Sequence, residues 1–313
     1  MPGSDAIERA ARLIREGRLV AFPTETVYGL GANAFDAEAV SRIFAVKRRP
    51  ATSPLIVHVH SIAMARTVAR AWPEEAQRLA ARFWPGPLTL VLEKAASIPD
   101  RVTAGLDTVG IRVPSHPAAL ALIRAANVPI AAPSANEFMR LSPTEASHVA
   151  EGLADMVLDG GCSEVGLEST VLSLAGGRRV LLRPGAVTRE AIEAVIGPIE
   201  AGPATVTEGP HSSPGQHRRH YSPHTPLFLV RAGGELPRGR GVWVWHRRRL
   251  PAAHCVEMPA TAQAYGAALY RTLHRLDGED WDWIAVEAPP EGAEWAAVRD
   301  RLLRAAAGTT EEK

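Results

Sequence analysis

Between residues 198 and 222 the chain loses all apolar periodicity, and no other feature limits its fold as strongly. Gly, Pro, Ser and Thr crowd this stretch. Such a composition favours a tether or a functional loop over a packed element. Patterning resumes on both sides. The break therefore predicts a large domain over 1–200, a linker or lid over 201–226 and a small α/β domain over 227–313. A chain of 313 residues is long enough for two cores.

Upstream of the break, short apolar runs alternate with helical periods. Ile7, Ala10, Ala11 and Ile14 recur at helical spacing. Asp5, with Glu8 three residues on, predicts a capping box at that helix start. Strands are predicted near 19–22, 55–59, 88–92, 109–113, 129–132, 155–159, 169–174 and 179–182. Helices are predicted after Asp36 and near 61–71, 73–83, 116–126 and 188–196. Ser142, Pro143 and Glu145 predict another helix start. Gly29 and Gly31 read as a glycine-rich turn that lets backbone approach a ligand. Downstream, PLFLV, GVWVW and DWIAVEA predict strands, with helices near 260–275 and 292–306. The interleaving places the chain in the α/β class.

Charge and cysteine content narrow the function. A formal net charge of +1 gives no global attraction to nucleic acid or membrane. Two cysteines, Cys162 and Cys255, lie far apart, which argues against a disulfide framework or a structural zinc site. No stretch reaches the roughly 18 apolar residues of a membrane span. The N-terminus reads as an amphipathic helix, not a signal peptide. A cytoplasmic enzyme is the expectation.

Four clusters carry chemistry. The first runs from Pro23 to Gly31 and on to Lys47, Arg48, Arg49 and Pro50. It has neither a Walker P-loop nor a dinucleotide fingerprint. Lys47 shares a helix face with Val40, Ile43 and Phe44, so its ammonium must snorkel, pair or bind an anion. Taken alone, this basic helix end reads equally as a dipole cap. The second cluster is PIAAPSAN, with Ser134 and Asn136 at a strand's carboxyl end, where α/β ligands commonly sit. The third is DGGCSEVGLESTV, and the fourth places Arg183 before a Pro-Gly turn. His220 and Tyr221 lie in a basic, histidine-rich tract that, by itself, reads as a solvated linker or as one that touches phosphates or RNA.

In this order the clusters resemble the YrdC-like family of threonylcarbamoyl-AMP synthases. The matching strings are PTETVYGLG, the KxRP turn, PLIVHV, GLDTVGIRVPSHP, APSAN, SPT, DGG with GLESTV, and RPG. SPGQHRRHYSPHTPL and AAVRDRLLRAA resemble the linker and closing helix of the two-domain form. The resemblance implies a twisted mixed α/β sheet with a large concave basic cavity, plus a small Rossmann-like C-terminal domain. It implies that L-threonine, bicarbonate and ATP give threonylcarbamoyl-adenylate and pyrophosphate, for threonylcarbamoyladenosine in tRNA. Mg²⁺ would arrive with the ATP phosphates rather than on dedicated protein ligands. A downstream tRNA threonylcarbamoyl-transfer complex would take the product, and the chain would be a monomer or weak dimer.

Residue by residue, the resemblance gives Lys47 and Arg49 the catalytic role. It puts Lys47, Arg49, Ser53, Thr108, Ser134, Asn136, Ser142, Arg183 and Tyr221 on ATP. It puts Thr26, His58, Arg112, Ala132 and Ser169 on threonine, with Arg112 on the carboxylate, and makes the linker a lid. The chain departs from the family at four positions, one being the linker, which lacks the usual Met after Gly215. Arg48 and Met139 stand where glycine is commoner, and Ser53 where asparagine is. Two rivals are an RNA-binding module, disfavoured by the neutral charge balance, and a carbamoyl-phosphate-dependent module, which usually carries zinc-finger cysteines.

Overall fold

The computed structural model describes residues 2–202, 217 and 219–307. One mixed sheet contains β1 (Val20–Phe22), β2 (Gly29–Asn33), β3 (Ile56–His58), β4 (Leu88–Glu93) and β5 (Thr108–Arg112). It is completed by β6 (Ile130–Ala132), β7 (Met156–Val157), β8 (Thr170–Ser173), β9 (Val180–Arg183) and β10 (Glu200–Ala201). The spatial order is β10-β9-β8-β4-β5-β3-β6-β2-β1-β7. The helices of this unit are α1 (Ser4–Arg15), α2 (Ala37–Lys47), α3 (Ile62–Val68), α4 (Glu74–Phe83), α5 (Asp100–Thr103), α6 (Pro117–Ala126) and α7 (Arg189–Ile196).

The second sheet is wholly parallel. Its strands are β11 (Leu227–Val230), β12 (Gly241–Trp245), β13 (His254–Glu257) and β14 (Trp283–Glu287), in the order β11-β14-β12-β13. Helices α8 (Ala262–Asp277) and α9 (Ala296–Ala306) belong to this unit, giving the expected small Rossmann-like α/β arrangement. The linker stretch 203–216 and residue 218 lie outside the described residues. Among those described, no helix is long and apolar enough to cross a membrane.

Strand alternation explains both cores. Val20, Phe22, Ile130 and Ala132 pack with Ile7, Ala10, Ala11 and Ile14 of α1 and with Leu122 and Ile123 of α6. Ala21, Leu30 and Val57 point the other way, into a core with Val40, Ile43 and Phe44 of α2. Successive strand residues are thus all buried, on opposite faces.

Four sequence expectations need correcting. First, Gly29–Asn33 is a strand, antiparallel to β1 and β6, rather than a turn. A Cβ on Gly31 would stand 2.7 Å from the Ile130 side chain and 2.8 Å from the Phe22 ring. Gly31 therefore makes room for packing, not for a ligand. Second, no helix starts at Ser142. Its hydroxyl is spent on Glu168 at 2.5 Å, and the Pro143 carbonyl accepts the Tyr28 N–H. Only a short 3₁₀ turn, Ala146–His148, follows. Third, α1 begins at Ser4 with Gly3 as its cap, so Asp5 lies inside the helix and forms no capping bond. Fourth, β13 escaped the pattern search because its residues are half-buried or exposed, as an edge strand allows.

Two of the family departures sit where glycine is cheapest. Arg48 caps α2 at φ 51°, and Met139 has φ 69°. A left-handed backbone strains any residue with a Cβ. Arg48→Gly is expected to raise stability by about 0.5–1 kcal/mol, read as a higher melting temperature. Half-buried Met139 also loses side-chain packing, so Met139→Gly should gain less.

Candidate active site

A cleft opens on the large sheet, with about 50 Å³ of free space in this ligand-free arrangement. Strand register builds its floor. Ile56 stands opposite Ala132, His58 opposite Arg112, and Gly29 is bridged to Ser134. Opposed residues share a face, so all six belong to one side of the sheet. They also all line the cleft. Because the sheet is mixed, its carboxyl ends do not gather at one edge. The cleft therefore lies across a face rather than at an edge crevice. Gly29 and Ala132 keep that floor low.

One wall is cationic. Arg49 leaves the end of α2 and donates from Nε to the Ser53 carbonyl at 3.3 Å and from Nη2 to the Pro54 carbonyl at 3.2 Å. Burial, and then the charge of Arg183, pull its pKa down to about 10, against the opposing effect of Tyr221. It remains a cation at neutral pH. Arg183, at the end of β9, donates to the Ser169 carbonyl at 3.0 Å and to its hydroxyl at 3.2 Å. Burial lowers its pKa as well. His220 reaches the same cleft, and burial followed by Arg49 holds it well below the ordinary histidine range. A dry wall of mutually repelling cations is suited to a polyanion.

The other end is a second polar pocket. Arg112 donates to the Thr26 hydroxyl at 2.9 Å and to the Gly86 carbonyl at 3.3 Å. Its Nη2 approaches Glu25 at 2.7 Å, close as an ion pair but not aligned as a hydrogen bond. Both side chains are about 95% buried or more, at 3% and 5% exposure. His58 lies beside them. Burial, then the Arg112 charge, lower its pKa to about 3. Neutral at physiological pH, it has a buried Nδ1 with no hydrogen-bond partner among the described residues. Ser169 shares a hydrogen bond with Thr89 at 2.7 Å.

The structure gathers Thr26, Arg49, His58, Arg112, Ala132, Ser134, Ser169, Arg183 and Tyr221 around this cleft. It leaves five predicted residues behind the lining. Lys47 is buried, with Nζ held by the carbonyls of Ser134 (2.6 Å) and Asn136. Burial, then Arg49, push its pKa well down. Asn136 donates to the carbonyls of Glu137 and Arg140, both at 2.8 Å, clamping the turn that holds Met139. Ser53 bonds His217 at 3.0 Å, Ser142 bonds Glu168, and Thr108 is half-buried at the start of β5. In this ligand-free arrangement these residues shape the cleft from behind.

Sequence reasoning missed Glu25, Glu168 and His220 as site residues. His220 is buried, not a solvated linker residue. Its backbone N–H bonds the Arg304 carbonyl, the Ser222 hydroxyl bonds the Ala305 carbonyl, and Arg304 donates to the His217 carbonyl. The last turns of α9 thus hold the segment that roofs the cleft. Tyr221 sits in that roof at φ 60°, its buried hydroxyl without a partner among the described residues.

Comparison with known proteins gives a consistent result. A family model described as "Telomere recombination", covering Sua5, YciO and YrdC, matches residues 12–185. One described as "Threonylcarbamoyl-AMP synthase, C-terminal domain" matches 187–307. The threonylcarbamoyl-AMP synthase of Bacillus subtilis is 44% identical over 96% of this chain and 93% of its own. That of Pyrococcus abyssi is 43% identical over the same shares. The crystal structure of P. abyssi Sua5 complexed with L-threonine superposes with a TM-score of 0.89 at 43% identity, covering 96% of this chain and 94% of that one. Escherichia coli YciO matches 59% of this chain with a TM-score of 0.52 at 26% identity.

Proposed function

The chain belongs to the threonylcarbamoyl-AMP synthase family, and on that footing we propose that its cleft makes threonylcarbamoyl-adenylate from L-threonine, bicarbonate and ATP, releasing pyrophosphate. The product serves threonylcarbamoyladenosine formation in tRNA. The observation that carries this reading is a single cleft with two unlike ends. Arg112, Thr26 and His58 line it together with the cations Arg49 and Arg183. The solved relative that holds L-threonine supports the role of the first three.

The chemistry needs little from protein acids and bases. The free amine of threonine and bicarbonate give a carbamate and water without a protein nucleophile. A carbamate oxygen then bonds to the α-phosphorus of ATP while the α–β bridging P–O bond breaks and pyrophosphate leaves. In-line displacement of this kind depends on positioning and charge stabilisation. Arg112 would hold the amino-acid carboxylate, with Glu25 fixing its guanidinium. Neutral His58 and Thr26 would orient the amine and side chain. Arg49 and Arg183 would neutralise the developing phosphate charge. Tyr221 would close over the nucleotide and exclude water.

Mg²⁺ is part of the proposal. Glu168 in the cleft and Glu25 behind it are already engaged by Arg301 and Arg112, while the cleft offers hydroxyls. That donor set suits a hard cation that keeps water and phosphate oxygens as ligands. When bound it would supply charge neutralisation on the triphosphate. The cytoplasm, and a tRNA-modifying complex as product acceptor, complete the reading.

Pyrophosphate release from ATP and Mg²⁺ should require both L-threonine and bicarbonate. A coupled pyrophosphate assay with each omitted in turn is the check. Equal release without threonine would refute the synthase reading.

A further inference from the structure

We propose that Arg301, on α9 of the small C-terminal unit, is a positioning residue for this reaction, setting the nucleotide wall of the cleft from behind through Glu168. The proposal rests on the adenylation reading above and adds a residue outside the cleft to it.

Arg301 is 1% exposed and does not line the cleft. Its guanidinium nevertheless touches three cleft-forming segments at once. Nε donates to Glu168 Oε2 at 2.6 Å. Nη2 donates to the Glu168 carbonyl at 3.3 Å and to the Pro184 carbonyl at 3.1 Å. The plane stands 5.2 Å from the centre of the Tyr221 ring. Nη1 is fixed in turn by Asp300 at 2.6 Å. Glu168 precedes Ser169, and Pro184 follows Arg183. One side chain therefore sets the backbone on both sides of the Arg183–Ser169 contact and supports the roof residue as well.

Glu168 is the hub. Its carboxylate also accepts from the Ser142 hydroxyl at 2.5 Å and from the Tyr270 hydroxyl of α8 at 3.2 and 3.3 Å. Burial would raise its pKa, but Arg301 first, then Arg183 and Ser142, hold it below the ordinary range. The donors Arg301 and Tyr270 come from the C-terminal unit, whereas Ser142 and Glu168 come from the large one. The planar fork of arginine suits this divergent set, and a lysine ammonium could not serve all of its directions. The large unit thus supplies most of the cleft surface, with His220 and Tyr221 added from the linker, while the small unit locks one wall of it. A charge needed only to neutralise Glu168 would not have to reach Pro184 and Tyr221.

The test separates positioning from mere charge balance. Arg301→Met alone strands a buried carboxylate and is expected to lower stability. The double variant Arg301→Met/Glu168→Gln removes both charges together and should restore much of the melting temperature. We expect it to bind L-threonine, by calorimetry, within about tenfold of the parent, because Arg112, Thr26 and His58 are untouched. Its kcat for pyrophosphate release should fall about 100-fold, the scale set by an ångström of misplacement. Arg301→Lys should show the same split with a smaller loss. A folded double variant with parental kcat would overturn the proposal, as would one that loses threonine binding in proportion to turnover. A double variant that does not fold would also overturn it, by making the pair structural. A parental protein that releases no pyrophosphate with all substrates present would instead refute the adenylation reading.

Discussion

Arg49→Ala should cut pyrophosphate release by about 10²–10³-fold, the usual cost of removing one preorganised group from a developing charge, and should leave the fold intact. Arg49 lines the cleft and spends only two hydrogen bonds on its own loop, both to nearby carbonyls. With a pKa near 10 it is charged throughout the working range. A further contact is with the Phe138 ring, 5.8 Å from its guanidinium carbon. Lys47→Ala should behave differently although it lies only two residues away. Its ammonium holds the carbonyls of Ser134 and Asn136, so its loss orphans buried acceptors and should cost about 1–3 kcal/mol of stability. Turnover should fall too, because Ser134 would lose its placement. Melting curves alongside kcat distinguish the two variants. Full turnover in Arg49→Ala would remove that residue from the phosphate site.

The second large effect lies at the other end of the cleft. Arg112→Met should weaken L-threonine binding by about 10²–10³-fold, as expected when one partner of a buried charge contact is truncated. It should also destabilise the protein by about 3–5 kcal/mol, because Glu25 is left buried without its counter-ion. Adding Glu25→Gln removes the stranded charge. The double variant Arg112→Met/Glu25→Gln should therefore regain stability while threonine binding stays lost. Calorimetric titration with threonine and thermal melting report the two effects separately. Recovery of binding together with stability would show that Arg112 only supports the fold.

The pieces of this site that sequence exposes are those with local punctuation. The Lys47–Pro50 turn, the PSAN strand end and the Pro-Gly turn after Arg183 announce themselves by residue type and spacing. What holds them is invisible at that level. Arg301 and Glu168 are 133 residues apart, and each taken alone resembles an ordinary surface charge. Glu25 sits inside a recognisable string, yet nothing local announces that the loop between β1 and β2 meets Arg112 at the end of β5. Gly31 misled for a related reason. Its value lies in the Phe22 ring that crosses it, a contact set by strand pairing rather than by the local sequence, whereas Gly29 does line the cleft. His220 looked solvated because its stretch is polar, but α9 covers it from the far end of the chain.

The anchorage of the roof by the last turns of α9 has a thermodynamic corollary. His217, His220 and Ser222 are gripped by Arg304 and by the carbonyls of Arg304 and Ala305, so opening the cleft mouth and fraying that helix end draw on the same bonds. Linked equilibria are reciprocal. On the proposed reading, a nucleotide that holds Tyr221 down should slow hydrogen exchange at the end of α9. Conversely, whatever grips the exposed side of α9 would tune how tightly nucleotide is held. The C-terminal helix would in this sense be a remote handle on nucleotide affinity.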